Sequence, residues 1–192
     1  MVRIVADLPP EELRFHWKSG RPCLDFVATV GERWRRSFER LLGPEDLARW
    51  LAESGLLQDR PPVSRRQLEA GRVLRETING LARPGIEPKS GDRAELNRWA
   101  GRAPLAPQLS ERGDLLWISE RPVEAAFATI ARDAVDLLTG PLADRIRECA
   151  APDCALLFVD CSRPGRRRWC SGEACGNRVR TKAYRQRRTE AQ

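Results

Sequence analysis

Apolar residues recur with a helical period along most of the first 140 residues. Side chains three or four positions apart fall on one face of a helix, and an apolar face of this kind packs into a core. Ser64 and Gln67 add a capping-box pattern, in which the side chains and backbone N–H groups at a helix start satisfy one another. The pattern predicts helices over residues 44–53, 65 to about 83, 92–100 and 122–138.

Two other parts of this region favour strands. Residues 104–119 hold two short apolar runs joined by a turn at residues 111–114, which predicts a β-hairpin. A strand-like stretch is also expected around residues 14–18, ahead of an apolar run at residues 23–30. We therefore predict an α+β fold, with a mostly helical N-terminal domain and a small β-hairpin over residues 1–141, followed by a second domain over residues 142–192.

The positive charge of the chain is concentrated at its C-terminal end. Residues 145–192 hold 12 Lys and Arg against 5 Asp and Glu, so they account for the whole net charge of +7. A neutral body with a basic end is typical of a protein that binds a polyanion. No apolar run reaches the roughly 18 to 20 residues of a membrane helix, and the N-terminus lacks the apolar segment of a secretory signal. We therefore expect a cytoplasmic protein with no membrane contact.

Five of the six cysteines lie in this basic segment, and four of them form two matched C-x4-C pairs. A tetrahedral zinc site needs two thiolates from each of two tight turns, which two close pairs around a hairpin-sized insert provide. A disulfide-bonded module and a metal-free core are the alternatives, and a reducing cytoplasm disfavours the first of them. We predict one structural zinc ion held by Cys149, Cys154, Cys170 and Cys175.

The other two cysteines are expected to have no part in the metal site. Cys161 lies between the pairs beside a predicted turn and is interpreted as a bystander, while Cys23 lies in an apolar run and is expected in the core. A module of about 45 residues rarely buries enough apolar area to fold alone. Structural zinc supplies about 10–16 kcal/mol of apparent binding free energy to such a fold, so we expect this module to need the ion.

The insert between the cysteine pairs predicts a β-hairpin. An apolar segment at residues 156–160 is followed by a Ser-Arg-Pro-Gly turn and by residues 166–169, which lead into the second pair. Phe158 and Trp169 are the expected core contacts of this hairpin.

A basic helix is predicted directly after the last cysteine. Residues 179–188 contain no Gly or Pro, and Val179 and Ala183 form a narrow apolar strip that is expected to pack on the hairpin. A cysteine knuckle, a hairpin and a helix that starts at the last ligand describe a treble-clef-like four-cysteine zinc finger. This is the predicted fold of the C-terminal domain.

Two stretches resemble known families. The segment RRRWCS and the motif Cys-Gly-Asn-Arg at residues 175–178 resemble the CGNR zinc finger over residues 145–188. The stretches PCLDFVATV and GPEDLARWLAESGLL resemble the ABATE domain of bacterial stress-response regulators, although Ala28 stands where that domain usually has Asn. The resemblance implies a zinc-binding finger that contacts DNA through its positive residues, and an N-terminal regulatory domain.

Arginine forks suit phosphates and guanine edges, so seven cations are candidate nucleic-acid contacts: Arg163, Arg166, Arg167, Arg168, Arg178, Lys182 and Arg185. Asn177 either shapes the turn or contacts a base. Arg178 either contacts nucleic acid or braces the finger through a carboxylate such as Asp160. These residues predict DNA binding. Together with the charge distribution, the resemblance implies a DNA-binding transcriptional regulator, with an N-terminal domain that senses a small-molecule effector or forms a homodimer. A zinc-stapled protein-interaction adaptor and an RNA- or ribosome-binding protein are the alternatives.

The residue types and spacings predict no enzyme. Four cysteines close the zinc coordination shell, whereas catalytic zinc keeps an open position. The single histidine, His16, is far along the chain from the cysteines, and no glycine-rich phosphate loop occurs. Five tryptophans of the N-terminal domain either pack in its core or line a ligand pocket, and they are Trp17, Trp34, Trp50, Trp99 and Trp117.

Overall fold

The structure is a computed structural model that describes residues 8–190. Within them lie the helices α1 (Pro22–Val27), α2 (Pro44–Glu53), α3 (Arg65–Ala82), α4 (Asp92–Ala100), α5 (Pro122–Thr139) and α6 (Asn177–Glu190). The strands are β1 (Val30–Gly31), β2 (Phe38–Glu39), β3 (Ala106–Leu109), β4 (Leu115–Ile118), β5 (Ile146–Glu148) and β6 (Leu157–Val159). They form three two-stranded antiparallel sheets, β1–β2, β3–β4 and β5–β6. None of the described helices is both long and apolar enough to cross a bilayer.

Helices α2 to α5 begin and end within a residue of their predicted positions, because their termini carry local signals. The Gln67 N–H donates to Ser64 Oγ at 3.2 Å and the Ser64 N–H donates to Gln67 Oε1 at 2.8 Å, which confirms the capping box of α3. Pro44 and Pro122 occupy the first turn of α2 and α5, where a missing N–H costs nothing. The predicted hairpin over residues 104–119 is confirmed as β3–β4.

The main core lies where α1, α3 and α5 meet. Phe26 of α1 packs on Trp50 with ring centroids 4.8 Å apart, and Phe127 of α5 packs edge-to-face on Trp99 at 5.2 Å. Helix α3 approaches α5 closely at Gly71, where a Cβ would lie 2.8 Å from Cζ of Phe127. A side chain at residue 71 would therefore force Phe127 or one of the two helices to shift.

A buried ion pair lies beside this core. Both Arg75 of α3 and Glu39 of β2 have side chains at most 3% exposed, and two parallel hydrogen bonds of 2.6 and 2.8 Å join them. Thr29 Oγ1 accepts a further hydrogen bond from Arg75 at 3.1 Å. The N–H groups of Arg40 and Leu41 donate to Glu39 Oε1. These donors satisfy the oxygens of the buried Glu39 carboxylate.

The strand expected at residues 14–18 is wrong, because this segment is irregular and pairs with no strand in the described part of the chain. Its conformation is set by side chains. Phe15 is buried with the Arg49 guanidinium 4.1 Å above its ring, and Arg40 Nε donates to the carbonyl of Glu12 at 2.8 Å. Most of the apolar run that follows lies in the short helix α1.

The hairpin predicted between the cysteine pairs is also wrong, because the strand within it pairs with a different segment from the one predicted. β6 pairs with β5, where Ile146 lies opposite Val159, and residues 166–169 form no strand. Ile146 and Val159 are both buried in the main core, so the pairing is stabilised by apolar burial that the finger alone does not offer. Residues 166–169 instead follow a loop in which Asp160 Oδ2 accepts the Arg167 N–H at 2.8 Å.

Strands β5 and β6 fasten the C-terminal segment to the N-terminal one. Ile146, Leu157 and Val159 belong to the same apolar core as α1 and α5, and the Val159 N–H donates to the Ser19 carbonyl at 2.9 Å. A second, smaller cluster joins Ala28 to the cysteines of the finger. The division of the chain after residue 141 stays a prediction, and the two segments pack against each other across it.

Candidate metal centre and cationic surface

Four cysteine thiols converge in the C-terminal segment. The Sγ atoms of Cys149, Cys154, Cys170 and Cys175 all lie within 4.8 Å of one another. Cys170 Sγ lies 3.9 Å from Cys154 Sγ and 3.5 Å from Cys175 Sγ. Thiolates about 2.3 Å from a tetrahedral zinc ion lie about 3.8 Å apart, so the cluster has the spacing that zinc requires. No cysteine of the described chain forms a disulfide.

The first cysteine pair sits on the turn between two strands. Cys149 follows β5 and its N–H donates to the Leu156 carbonyl at 3.0 Å, while the Cys154 N–H donates to the Ala151 carbonyl at 3.0 Å. The Cys170 N–H points at Cys149 Sγ from 3.4 Å. Thiol hydrogen bonds from Cys154 and Cys170, aided by this N–H, lower the pKa of Cys149. Hydrogen bonding to Cys149 in turn raises the pKa of Cys154 and Cys170, so among these three cysteines only Cys149 favours the thiolate, the form that binds metal, before the ion is present.

The second pair is held by the start of the basic helix. Cys175 lies in a π-helical turn, Gly172–Gly176, that leads directly into α6. Ser171 Oγ caps this turn by accepting the Ala174 N–H at 3.1 Å. Arg178 Nη2 reaches back to Cys175 Sγ at 3.4 Å, so the first turn of α6 brings a positive charge to the metal site.

Comparison with protein-family models identifies both segments. The ABATE model, described as "Putative stress-induced transcription regulator", matches residues 20–141, and the CGNR zinc finger model matches residues 145–188. The chain belongs to the ABATE family. A comparison with curated proteins found no match. Both resemblances drawn from the sequence are thereby confirmed, and neither the ABATE family nor the CGNR finger is described as an enzyme.

The CGNR finger holds one structural zinc ion, since its family is a zinc finger and its four-cysteine cluster has ligand spacing. When bound, the ion cross-links the turn after β5 to the turn before α6. The finger has a small apolar cluster of its own, with Phe158 fully buried and Trp169 and Val179 partly buried against it. This agrees with the predicted roles of Phe158 and Trp169, whereas Ala183 of α6 is exposed and does not extend the apolar strip.

Arg178 braces the CGNR finger, but through a different carboxylate from the one suggested by the sequence. Its Nε lies 2.7 Å from Asp153 Oδ2. Asp160 is engaged elsewhere: it accepts hydrogen bonds from the Ser162 hydroxyl at 2.6 Å, the Ser162 N–H at 2.9 Å and the Arg167 N–H. These donors, the Ser162 hydroxyl above all, lower the pKa of Asp160 to about 2. Asp160 therefore orders the loop that carries the arginines of residues 163–168.

All seven predicted nucleic-acid contacts of the CGNR finger are exposed. Two of them have guanidinium groups that also hold the finger together. Arg178 contacts Asp153 and Cys175, and Arg167 donates to the carbonyls of Trp169 and Cys170. The side chains of four others form no salt bridge with the described residues, namely Arg163, Arg166, Arg168 and Lys182.

Trp169 joins the arginine loop to the basic helix. The Arg168 guanidinium lies 5.2 Å from its ring centroid and the Arg180 guanidinium lies 5.8 Å from it. Arg180 Nη2 also donates to the carbonyl of Gly172 at 3.2 Å and to the side chain of Asn177. The sequence did not single out Arg180 as a contact, and its side chain fixes Asn177 at the turn. The loop and α6 thus contribute to one cationic surface.

The other singled-out residues lie away from the zinc site. Cys23 is buried in the core, as predicted, and Cys161 is exposed and lies outside the four-thiol cluster. His16 is partly buried beside Arg40. Among the tryptophans of the ABATE domain, Trp50 and Trp99 are buried and Trp117 packs against the core, while the other two, Trp17 and Trp34, are almost half exposed.

Proposed function

We propose that this ABATE-family protein is a DNA-binding transcription regulator that acts in the cytoplasm. The CGNR finger, with zinc on Cys149, Cys154, Cys170 and Cys175, contacts duplex DNA. The ABATE domain senses a small molecule or brings two copies of the chain together. The observation that carries this proposal is the charge of the exposed surface formed by residues 163–168 and α6.

This surface is almost purely cationic. Between residues 163 and 188 the chain has ten Lys and Arg and a single carboxylate, Glu173. Every residue of α6 from Arg180 to Arg188 is exposed, so the charge faces solvent and is not consumed by packing. A one-signed surface attracts a polyanion by releasing its bound counterions. A solvent-exposed surface that binds no partner would not need such an excess of positive charge over negative charge.

The cations of this surface divide into two roles. Arg163, Arg166, Arg168 and Lys182 have exposed side chains and no salt bridge among the described residues, so we assign them to phosphate contacts together with Arg185 of α6. We assign Arg167 and Arg178 to positioning, because their guanidinium groups contact the finger itself. Phosphate contacts fix a protein on the duplex, and the few side chains that reach base edges give sequence preference.

The dimensions of the helix favour duplex DNA. Helix α6 has 14 residues, so it is about 21 Å long and can lie in a major groove about 12 Å wide. The deep, narrow major groove of duplex RNA does not admit such a helix. A single finger reads few base pairs, so we expect a homodimer to be the form that recognises a specific site.

Fluorescence anisotropy of the zinc-loaded chain with a random-sequence DNA duplex and the matching RNA duplex, each titrated in salt, tests this function. We expect tighter binding to DNA, with an affinity that falls steeply as salt rises. Lys182→Ala should flatten the log–log slope by about 0.9, the value for one lost phosphate contact. Lys89→Ala is the matched control, since Lys89 is an exposed lysine that precedes α4 in the ABATE domain.

Three results would contradict the proposal. Tighter binding to RNA would indicate an RNA or ribosome partner. Salt-independent or absent binding to both nucleic acids would indicate a zinc-stapled protein adaptor. An equal effect of Lys182→Ala and Lys89→Ala would show that α6 is not the contact surface.

A further inference from the structure

The hairpin β3–β4 of the ABATE domain leaves apolar side chains in solvent. Leu109 and Leu115 lie opposite each other beside its turn and are 80% and 57% exposed, and Ile118 at the other end of β4 is 43% exposed. Trp117 packs against the main core, whereas every residue of β3 is exposed. A two-stranded sheet is only marginally stable by itself in water, so this hairpin would gain from a further strand.

The two outer edges of this hairpin differ. β3 contains Pro107, which has no N–H for a neighbouring strand, and proline on an edge strand blocks pairing. β4 has the sequence Leu-Leu-Trp-Ile and contains neither proline nor a charged residue. Among the described residues β4 pairs with β3 alone, and no turn or loop donates or accepts a backbone hydrogen bond at its outer edge. An edge strand without a blocking residue is a template for pairing with another chain.

The register of the hairpin identifies the backbone groups at this outer edge. The Ser110 N–H donates to the carbonyl of Asp114 at 2.9 Å, so the backbone groups of these two residues face each other. Their direction alternates along a strand, and the groups of Leu115 and Trp117 therefore face away from β3. Pro107 lies opposite Trp117 and has no N–H to donate, which agrees with this assignment.

A second copy of β4 fits this edge. When two β4 strands run antiparallel around a two-fold axis at Leu116, Leu115 of each copy lies opposite Trp117 of the other, and each of these pairs exchanges N–H···O bonds. Symmetric registers centred on a neighbouring residue leave Leu115 or Trp117 without this partner. Residues directly opposite each other share one face of a sheet, so the exposed Leu115 side chain also gains contact with the indole of the other copy.

The charges at the two ends of β4 complement each other in this arrangement. The turn before β4 contains Glu111, Arg112 and Asp114, and Glu120 and Arg121 follow its other end. All five are exposed, and none forms a salt bridge with another described residue. The two-fold axis brings the turn of each copy beside residues 120–121 of the other. Arg112 then faces Glu120, and the acidic side chains of the turn face Arg121, which favours this register over others.

We infer that β4 pairs with β4 of a second copy of this chain, so that the two hairpins form one four-stranded antiparallel sheet. The inference rests on the proposed function for the purpose of the dimer but not for its formation. The shared sheet relates two CGNR fingers by a two-fold axis, which is the symmetry of a palindromic DNA site. Two short paired strands form a small interface, so we expect a dissociation constant in the micromolar range.

Sedimentation equilibrium of the full zinc-loaded chain tests the association, and we expect the dimer to predominate at about 100 µM. Leu116→Lys sets two ammonium groups against each other at the two-fold axis and should weaken the dimer about tenfold or more. Gln108→Lys is the matched control. Gln108 is exposed and lies opposite Leu116 on the same face of the hairpin, but in β3, so this lysine should leave the dimer unchanged.

Amide hydrogen exchange of the unsubstituted chain, followed by NMR, gives a second readout. The N–H groups of Leu115 and Trp117 face solvent in a single copy, so their exchange should be fast in dilute solution and slow where the dimer predominates. The N–H groups of Leu116 and Ile118 face β3 and should be protected in the single copy as well.

A charge exchange tests the register. Arg112→Glu should weaken the dimer about threefold to tenfold, because each of the two symmetric ends loses an attraction and gains a repulsion. The double variant Arg112→Glu/Glu120→Arg restores opposite charges at both ends and should recover most of the loss. A double variant that dimerises no better than Arg112→Glu alone would contradict the pairing.

A chain that is monomeric at every concentration would overturn the inference. A dimer that tolerates Leu116→Lys, or in which Leu115 and Trp117 still exchange fast, would overturn it too, because the interface would then lie elsewhere. The DNA titration is a separate arm of the experiment. Dimer formation without DNA affinity would contradict the proposed function and leave the paired strands standing, and DNA affinity of a persistent monomer would do the reverse.

Discussion

Arg178 Nε lies 2.7 Å from Asp153 Oδ2, and the same guanidinium points its Nη2 at Cys175 Sγ from 3.4 Å. Asp153 belongs to the turn of the first cysteine pair, whereas Arg178 belongs to the first turn of α6. One side chain thus links the two halves of the zinc site and places a positive charge beside a thiolate. A contact of this kind orients a ligand and compensates part of the negative charge of a four-thiolate centre.

Arg178→Gln should therefore weaken the zinc site. The ion pair itself is half exposed and is worth about 0.2–1 kcal/mol, but loss of an outer contact to a metal ligand typically lowers metal affinity about 10-fold to 100-fold. Competition with a chromogenic zinc chelator measures the change. Arg180→Gln is the matched control, because Arg180 contacts Gly172 and Asn177 but no thiol. Equal zinc affinities of the two variants would contradict this role of Arg178.

Removal of the metal should destabilise more than the finger. Chelation removes the cross-link that holds the turn after β5, and β5 and β6 share the main core with α1 and α5. We expect a lower unfolding temperature for the whole chain, and loss of amide protection in β5 and β6, measured by hydrogen exchange. Cys170→Ser should reproduce the effect, and Cys161→Ser, at an exposed cysteine outside the cluster, should not. Unchanged protection of β5 and β6 after chelation would show that the core alone holds them.

Arg75→Met should be among the most destabilising single substitutions. It would leave Glu39 buried at 3% exposure without its bidentate partner, and breaking a buried pair on one side costs about 3–5 kcal/mol. The double variant Arg75→Met/Glu39→Gln should recover part of this loss, since no unpaired charge then remains. Urea unfolding of the single and double variants measures both values. Strict additivity of the two substitutions would be inconsistent with direct coupling between the two side chains.

The free energy of unfolding should decrease as the pH is lowered, because His16 takes up its proton at a lower pH in the folded chain than in the unfolded one. Burial, and then the nearby charges of Arg40 and Lys18, lower the pKa of His16 to about 4 from its ordinary 6.5. The unfolded chain therefore takes up a proton between pH 6.5 and 4 that the folded chain does not, so acidification through this window favours unfolding. The slope approaches about 1.4 kcal/mol per pH unit.

Because His16 is the single histidine of the chain, His16→Gln provides a clean comparison. The variant should show a flatter dependence of unfolding free energy on pH between about 6.5 and 5, where ordinary carboxylates have not begun to titrate. Denaturant unfolding at several pH values measures it. If the unfolding free energy of the variant had the same pH dependence as that of the natural chain, the pKa of His16 would not be lowered in the fold.

Helices α2 to α5 could be predicted from the sequence because their signals are local. The Ser64 cap, the prolines at the first turns and the apolar period all act within a few residues. The four ligand cysteines were likewise recognisable by spacing, because a tetrahedral ion requires two close pairs. The structure brings the four thiols together, in agreement with this spacing.

The errors arose where distant segments decide the outcome. Residues 156–160 have the composition of a strand in either pairing, and burial of Val159 beside α1 selects β5 as its partner. Nothing near Arg75 in sequence indicates that Glu39 lies opposite it, since the two are 36 positions apart. The alternative that Arg178 braces the finger agrees with its contact to Asp153, but the choice of Asp153 over Asp160 depends on how the loop folds.

Because of the hairpin β5–β6, the zinc finger and the helical domain depend on each other to bury apolar side chains, so we expect the two to be inherited together. A recombination event that moved residues 145–188 to another protein would carry Ile146, Leu157 and Val159 away from the side chains that cover them. The protein that lost this segment would be left with an unfilled cavity beside α1. Insertions and deletions between the two segments are tolerable only where they preserve this fit. We therefore expect a finger of this kind to diversify together with its own helical domain, through its exposed arginines.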